Sequence, residues 1–410
     1  MPCDEWVQGP FGLDAGKGRT FRYQRTVLMV VHSVTAGYRI ADIAPLLETD
    51  RRIQVTWTRA PSSVFSVGVQ DFLRSLGGVV VPWGQAIQSQ FDMAVAASHG
   101  SLEHVHAPVL VVPHGVGFSK YPSVWPGSGP VVRRQLRETD HDRLIYHGRV
   151  VPSRIVVATT AQLERMRCAC PPAAAVTVVA GDPCLDRLVA SLRLRLAYRE
   201  ALGTGQRTLV AVSSTWGPGS LLEQCPELLP RLAGELPRSR YQLAAITHPN
   251  VWEWHGQRQV RAWYADSIRG GLLVVPPEQE WRSVLAAADV VIGDHGSVPC
   301  YAAAAGIPVI LAVFPGREVD PRSQVAYLAK IAPRLRLNQP IAPQLGRAAT
   351  GWCPELHAAI RARVTSEPGE SARIIRTVLY QMMGLPRPPT PYPDPEPVPM
   401  PGAGLAGASR

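Results

Sequence analysis

Two histidines and two turns of small residues carry the chemistry this sequence offers. His114 follows the apolar run at Leu110–Val112, and Gly115 and Gly117 leave backbone room beside its imidazole. His248 stands in Thr247-His248-Pro249-Asn250, directly after the run from Gln242 to Ile246. An imidazole titrates near neutrality, so it can take a proton from a hydroxyl that attacks another group. The turns are Ser213-Ser214-Thr215-Trp216-Gly217-Pro218-Gly219-Ser220 and Gly293-Asp294-His295-Gly296-Ser297. Each places hydroxyls, glycines and backbone N–H groups at the start of a helix, which suits a phosphate or diphosphate. Arginines and His248 can add positive charge beside a leaving diphosphate without a metal ion. The chemistry that fits is proton transfer beside a bound phosphate or diphosphate. The candidate residues are His114 and His248 for catalysis. Ser214, Thr215, Trp216, Gly217, Gly219, Ser220, Asn250, Asp294, His295, Gly296 and Ser297 are the candidates for holding that phosphate. In the competing structural reading, Asp294 or Ser297 merely caps a helix and both histidines bond loop carbonyls.

Other signals are weaker. His32 and His99 also lie just past apolar runs and read as satisfied loop histidines. Asp140-His141-Asp142 has the Asp-x-Asp pattern of metal-dependent sugar transferases, but it sits among mixed charges rather than after a buried strand. Gly12 to Gly18 looks like a phosphate loop. Its spacing is one residue short, and no Ser or Thr follows Lys17. Seven cysteines show no disulfide-like or zinc-ligand spacing, so no metal site is expected and a reducing cytosol fits.

The elements that must position these residues alternate. Apolar runs at Thr26–Val31, Ile53–Thr58, Gly78–Pro82, Phe91–Ala97, Leu110–Pro113, Ile155–Ala158 and Val176–Val179 read as strands, with helical patterns between them. A second series follows at Thr208–Val212, Gln242–Ile246, Leu272–Val275, Val290–Ile292 and Pro308–Phe314. Helices are expected at Leu221–Leu236, Trp281–Ala287, Pro299–Ala305, Pro354–Thr365 and Ser371–Met383. Strands alternating with helices predict an α/β chain with two doubly wound, Rossmann-like halves, ligands sitting beyond the carboxyl ends of the strands. The expected division is a flexible N-terminus at 1–24, one domain at 25–180, a second at 181–350, C-terminal helices at 351–384 and a disordered proline-rich tail at 385–410.

At 410 residues the chain is long enough for two domains of ordinary size. The net charge is +10, and most of the positive charge is arginine, which favours an acidic partner such as a nucleotide. No run of about 18 apolar residues is present, and no secretory signal precedes the first strand, so a cytoplasmic protein without a membrane span is expected.

The order of motifs resembles a known family. His114-Gly115 comes first, then Gly181-x-Pro183-x-x-Asp186-x-Leu188, a strand ending Thr215-Trp216, and a strand ending His248-Pro249. Last comes Leu285-Ala-Ala-Ala-Asp-Val-Val-Ile-Gly293-Asp294-x-x-Ser297-Val298, with Gly306-x-Pro308 before the next strand. This resembles the CDP-glycerol glycerophosphotransferase family, which builds teichoic-acid-type polymers on the GT-B fold. Most of the likeness lies in residues 181–314.

The resemblance implies two Rossmann-like domains facing a cleft, with the donor held mainly by the second. By it, His114 is the general base and His248 neighbours the donor diphosphate. It also implies a nucleotide-linked donor and a hydroxyl acceptor, membrane-attached if the protein works at the inner face of the membrane. No cofactor is implied, and nucleic acid is not the expected partner. The family's Tyr and first Ser are replaced by His295 and Gly296, its Arg after Thr-Trp by Gly217, and its lysine after His-Gly appears as Lys120. Two alternatives remain. One is a catalytically degenerate nucleotide-binding protein. The other is a nucleotide-sugar 2-epimerase, which would show Asp-Ser-Gly-Gly and paired Glu where this chain has Gly-Ser-Val-Pro-Cys-Tyr.

Overall fold

The computed structural model describes residues 6–11, 20–63, 66, 68–121, 135–389 and 394–402. Gly12–Gly18 therefore lies outside the described residues. The chain divides into two units that interleave along the sequence. Unit 1 comprises Met1–Gly117, Gln135–Cys184 and Ser366–Asp394. Unit 2 comprises Phe118–Arg134, Leu185–Thr365 and Pro395–Arg410.

Unit 1 is built on seven parallel strands. They are β1 (Arg25–Val31), β2 (Ile53–Arg59), β3 (Val80–Val81), β4 (Met93–Ala96), β5 (Val109–Val111), and, after the small antiparallel pair β6 (Ile145–Tyr146) and β7 (Arg149–Val150), β8 (Arg154–Val157) and β9 (Thr177–Val179). Their order across the sheet is β3-β2-β1-β4-β5-β8-β9. The continuous apolar run of β1 is explained by two covered faces. Val27, Met29 and Val31 pack into one buried cluster, and Leu28 and Val30 into the opposite one. Side chains alternate across a strand, so a strand with helices on both sides has no polar face. The last helix, Ser371–Met382, sends Ile375 and Leu379 into the same cluster as Val27.

Unit 2 is a five-stranded parallel sheet of β10 (Thr208–Ser214), β11 (Tyr241–Thr247), β12 (Leu273–Val275), β13 (Val290–Gly293) and β14 (Val309–Leu311), in the order β12-β11-β10-β13-β14. Chain order and sheet order differ in both units, as in doubly wound sheets. The register of β10 on β13 pairs Val210 with Val290 and Val212 with Ile292. The loops beyond Ser214 and Gly293 therefore leave the sheet side by side. The helix expected over Leu221–Leu236 is two helices, Leu221–Gln224 and Leu228–Glu235. Pro226 separates them, because proline supplies no N–H and clashes with the preceding turn.

Two expected loose ends have anchored stretches. Val7 exchanges hydrogen bonds with the Gln85 amide, and Phe11 is buried in the unit 1 core. In the proline-rich tail, residues 394–402 form neither helix nor strand but are anchored at Val398. Val398 is 3% exposed, its N–H donates to Ser191 Oγ at 2.9 Å and its carbonyl accepts from the Tyr198 hydroxyl at 2.6 Å. Composition forbids such a tail a core of its own, but one apolar side chain can use a pocket that unit 2 already has. Among the described residues, no helix is long and apolar enough to cross a membrane.

Candidate active site

Unit 2 assembles its candidate residues at the carboxyl ends of β10, β11 and β13, with Asp294 as the tie. The Asp294 carboxylate accepts from Thr215 N at 2.8 Å and Leu221 N at 3.0 Å through one oxygen. The other oxygen accepts from Gly296 N at 2.9 Å. Both oxygens are thus engaged with backbone, and the β10 and β13 turns are fastened to each other. Gly217 and Gly219, at φ +78° and +83°, let the β10 turn double back in the left-handed region. Ser220 then caps the helix Leu221–Gln224. Ser214 Oγ donates to the Thr215 carbonyl and accepts from Leu222 N.

The capping alternative is not what the β13 turn shows. The N-cap of the helix Ser297–Ala304 is Gly296, which has no side chain to cap with, while Asp294 accepts from the Gly296 N–H and from the β10 turn. The positive end of this eight-residue helix therefore faces the turn.

A lysine joins this site from far away in the sequence. Ser119 and Lys120 pair antiparallel with the segment after β14. Lys120 bridges Val319, Tyr121 N donates to the Glu318 carbonyl, and Asp320 N donates to the Ser119 carbonyl. The pairing delivers Lys120 Nζ to Thr215 Oγ1 at 3.1 Å. Burial pulls the Lys120 ammonium down and Asp294 and Glu318 hold it up. Burial pushes the Asp294 carboxyl up, and Lys120 with the three N–H donors holds it down. Lys120 is one of only three lysines in the chain, so the cation beside this turn is not a chance sample of a lysine-rich surface.

His248 and Asn250 stand beside the same turns. The His248 N–H donates to the Ser214 carbonyl at 3.1 Å, and the His248 ring lies 6.4 Å from that of Trp216. His248 caps its own helix, Pro249–His255, with Nδ1 accepting from Asn250 N at 3.1 Å. A backbone N–H can only donate, so in the neutral ring the proton sits on Nε2. His248 thereby carries its ring proton on Nε2 and is not a proton acceptor. His295 is buried, with Nε2 4.0 Å from Glu318 Oε2. Burial, with Lys120 adding repulsion, pushes it down to about 3, so it is neutral at physiological pH.

Unit 1 holds His114, and there the tautomer is the reverse. Nδ1 of His114 lies 3.0 Å from the Ala97 carbonyl, which can only accept. The proton is therefore on Nδ1, and Nε2 carries the lone pair. His32 and His99 end β1 and β4 nearby. Burial pushes His99 down to about 4, with His114 and His32 adding to the shift. Asp140, from the Asp-x-Asp pattern, caps the helix His141–Leu144 and pairs with Arg143.

Sequence reading passed over Glu253, on the helix that His248 caps. Both its carboxyl oxygens are buried with no partner among the described residues. Burial alone pushes it up to about 8. A folded value above the unfolded one means that the native state holds the extra proton. The stability it contributes is complete below about pH 4.5 and is lost as pH rises through 8, with a slope of up to about 1.4 kcal/mol per pH unit. Urea titrations at pH 5, 6.5 and 8 should show that loss in the native chain, and Glu253→Gln should flatten it. An unchanged slope in the variant excludes Glu253 as its source.

No protein-family model and no curated protein matches the chain. Solved structures do. A variant of the wall teichoic acid polymerase TagF superposes with a TM-score of 0.61 at 13% identity, over 88% of this chain and 89% of that one. TagF soaked with CDPG superposes at 0.59 and 12% identity, over 90% and 92%. A UDP-GlcNAc 2-epimerase from Neisseria meningitidis, bound to UDP-GlcNAc, gives 0.50 at 11% identity, over 87% and 100%. The chain therefore has the GT-B fold, and the fold is that of the wall teichoic acid polymerase TagF.

Proposed function

We propose that the chain is a GT-B transferase that moves a glycerophosphate or glycosyl group from a nucleotide diphosphate donor, CDP-glycerol-like, to an acceptor hydroxyl of a cell-envelope polymer. The observation that carries the reading is the unit 2 cluster of Lys120, Thr215 and the helix start at Gly296. A diphosphate needs N–H donors, hydroxyls and a cation aimed at one place, and this cluster provides all three.

The residues divide the work as follows. Asp294 holds the two turns in register, while Lys120, Thr215, Ser297 and the N–H groups of the turns take the diphosphate oxygens. His248 adds a donor through Nε2–H. Nε2 of His114 accepts the proton of the acceptor hydroxyl. The acceptor oxygen then bonds to the transferred phosphorus or carbon, the bond to the nucleotide phosphate oxygen breaks, and the nucleotide leaves with that electron pair. Lys120 and the N–H groups fill the part of a cation, so the reading calls for no metal cofactor. TagF soaked with CDPG supports the choice of donor class.

The test is binding and release with a panel of CDP- and UDP-linked donors. The fitting donor raises the melting midpoint of the native chain and releases nucleotide when acceptor is added. Lys120→Met keeps the side-chain length and removes the charge-assisted hydrogen bonds, so donor affinity falls roughly 10- to 100-fold. Equal affinity in the variant overturns the placement of the diphosphate. Binding without release by the native chain would make it a binding protein instead.

A further inference from the structure

We propose that His32 is the positioning residue that sets His114 for proton transfer, acting through the loop Ala97–Gly100; this rests on His114 being the base. Every residue involved belongs to unit 1. Strands β1, β4 and β5 are neighbours in the sheet, so the residues just past their carboxyl ends are neighbours too. His32 follows β1 at once and is 2% exposed. Its Nε2 lies 2.6 Å from the Gly100 carbonyl, so the proton is on Nε2 and the ring clamps the far end of the β4 loop. Gly100 has little room on its other side. A Cβ there would come within 2.8 Å of Ser62 Cβ, while His32 Cδ2 lies 3.9 Å away. The near end of the same loop is held by Val112 N, which donates to the Ala96 carbonyl at 2.9 Å.

Between these two fixed points the Ala97 carbonyl meets Nδ1 of His114 at 3.0 Å. His114 itself is exposed, so solvent does not confine its ring. The carbonyl is what holds the proton on Nδ1 and leaves Nε2 free to act as a base. A carbonyl that wanders selects no tautomer, and a ring in the wrong tautomer presents an N–H to the acceptor hydroxyl. His32 therefore never touches substrate. Its effect is on the fraction of His114 in the competent form and on the angle of its ring, which tells on the chemical step rather than on binding.

The isosteric pair His32→Gln and His32→Met separates the hydrogen bond from packing, since only Gln keeps an N–H for Gly100. The primary readout is the ¹⁵N spectrum of the histidine rings of the full chain, with His114 assigned by its own substitution. In the native chain and in H32Q, His114 should show a protonated Nδ1 and a bare Nε2. In H32M the two tautomers should mix. With donor and acceptor, kcat of H32M should fall roughly 10- to 100-fold with KM within threefold, and H32Q should stay within threefold of native on both. A native His114 that is not protonated on Nδ1 overturns the proposal without any variant, as does an H32M that keeps the native tautomer. If the chain turns over no donor, the transferase reading fails while the tautomer measurement still decides the clamp.

Discussion

His114→Ala should lower kcat by roughly 10²- to 10⁴-fold and leave donor binding unchanged. The range is what a positioned general base contributes. The binding half follows from the placement of the residues: every proposed donor contact belongs to unit 2, and His114 belongs to unit 1. Single-turnover release of nucleotide, with acceptor present, reads the first half. The donor-induced rise in melting midpoint reads the second. Removing an exposed side chain that bonds one carbonyl costs little stability, so a folded, donor-binding, inactive protein is the expected outcome. A variant within tenfold of native assigns the proton to another group. His248 is a poor substitute, because its Nδ1 is occupied by Asn250 N and its Nε2 carries the proton.

The sheets were legible in the sequence because buried parallel strands are apolar on both faces. Val290–Ile292 and Gln242–Ile246 match β13 and β11 to within a residue at each end. The turns that follow them were legible for the same reason, since strand ends locate them. What could not be read was which turn meets which. Thr215 and Asp294 are 79 residues apart, and only the adjacency of β10 and β13 brings them together. Lys120 was harder still. It sits in a short segment whose pairing partners, Glu318–Asp320, lie far along the chain. No periodicity marks one residue pairing across that distance. The broken helix at Pro226 is a different case, because proline announces it. The helices between Pro249 and Arg269 were missed because their apolar residues are diluted by arginine, glutamine and exposed tryptophan.

Asp294→Ala should be the most destabilising single change at the site, by roughly 3–5 kcal/mol, and should abolish donor binding. Three N–H groups, of Thr215, Leu221 and Gly296, lose their acceptor at once. A buried donor left unpaired costs about 1–3 kcal/mol, and water entering the space recovers part of the sum. Lys120 also loses the carboxylate that favours its charge. Asp294→Asn separates these effects. One amide oxygen can still take Thr215 N and Leu221 N, but its NH₂ group faces Gly296 N, donor against donor. The Asn variant should therefore lie between native and Ala in urea midpoint, with unchanged urea dependence. If Asp294 were instead a direct ligand of the donor, Ala and Asn would weaken binding while leaving the urea midpoint near native. Stability and affinity falling together identify the carboxylate as the tie between the β10 and β13 turns, and make the phosphate site a property of their joined geometry rather than of either turn alone.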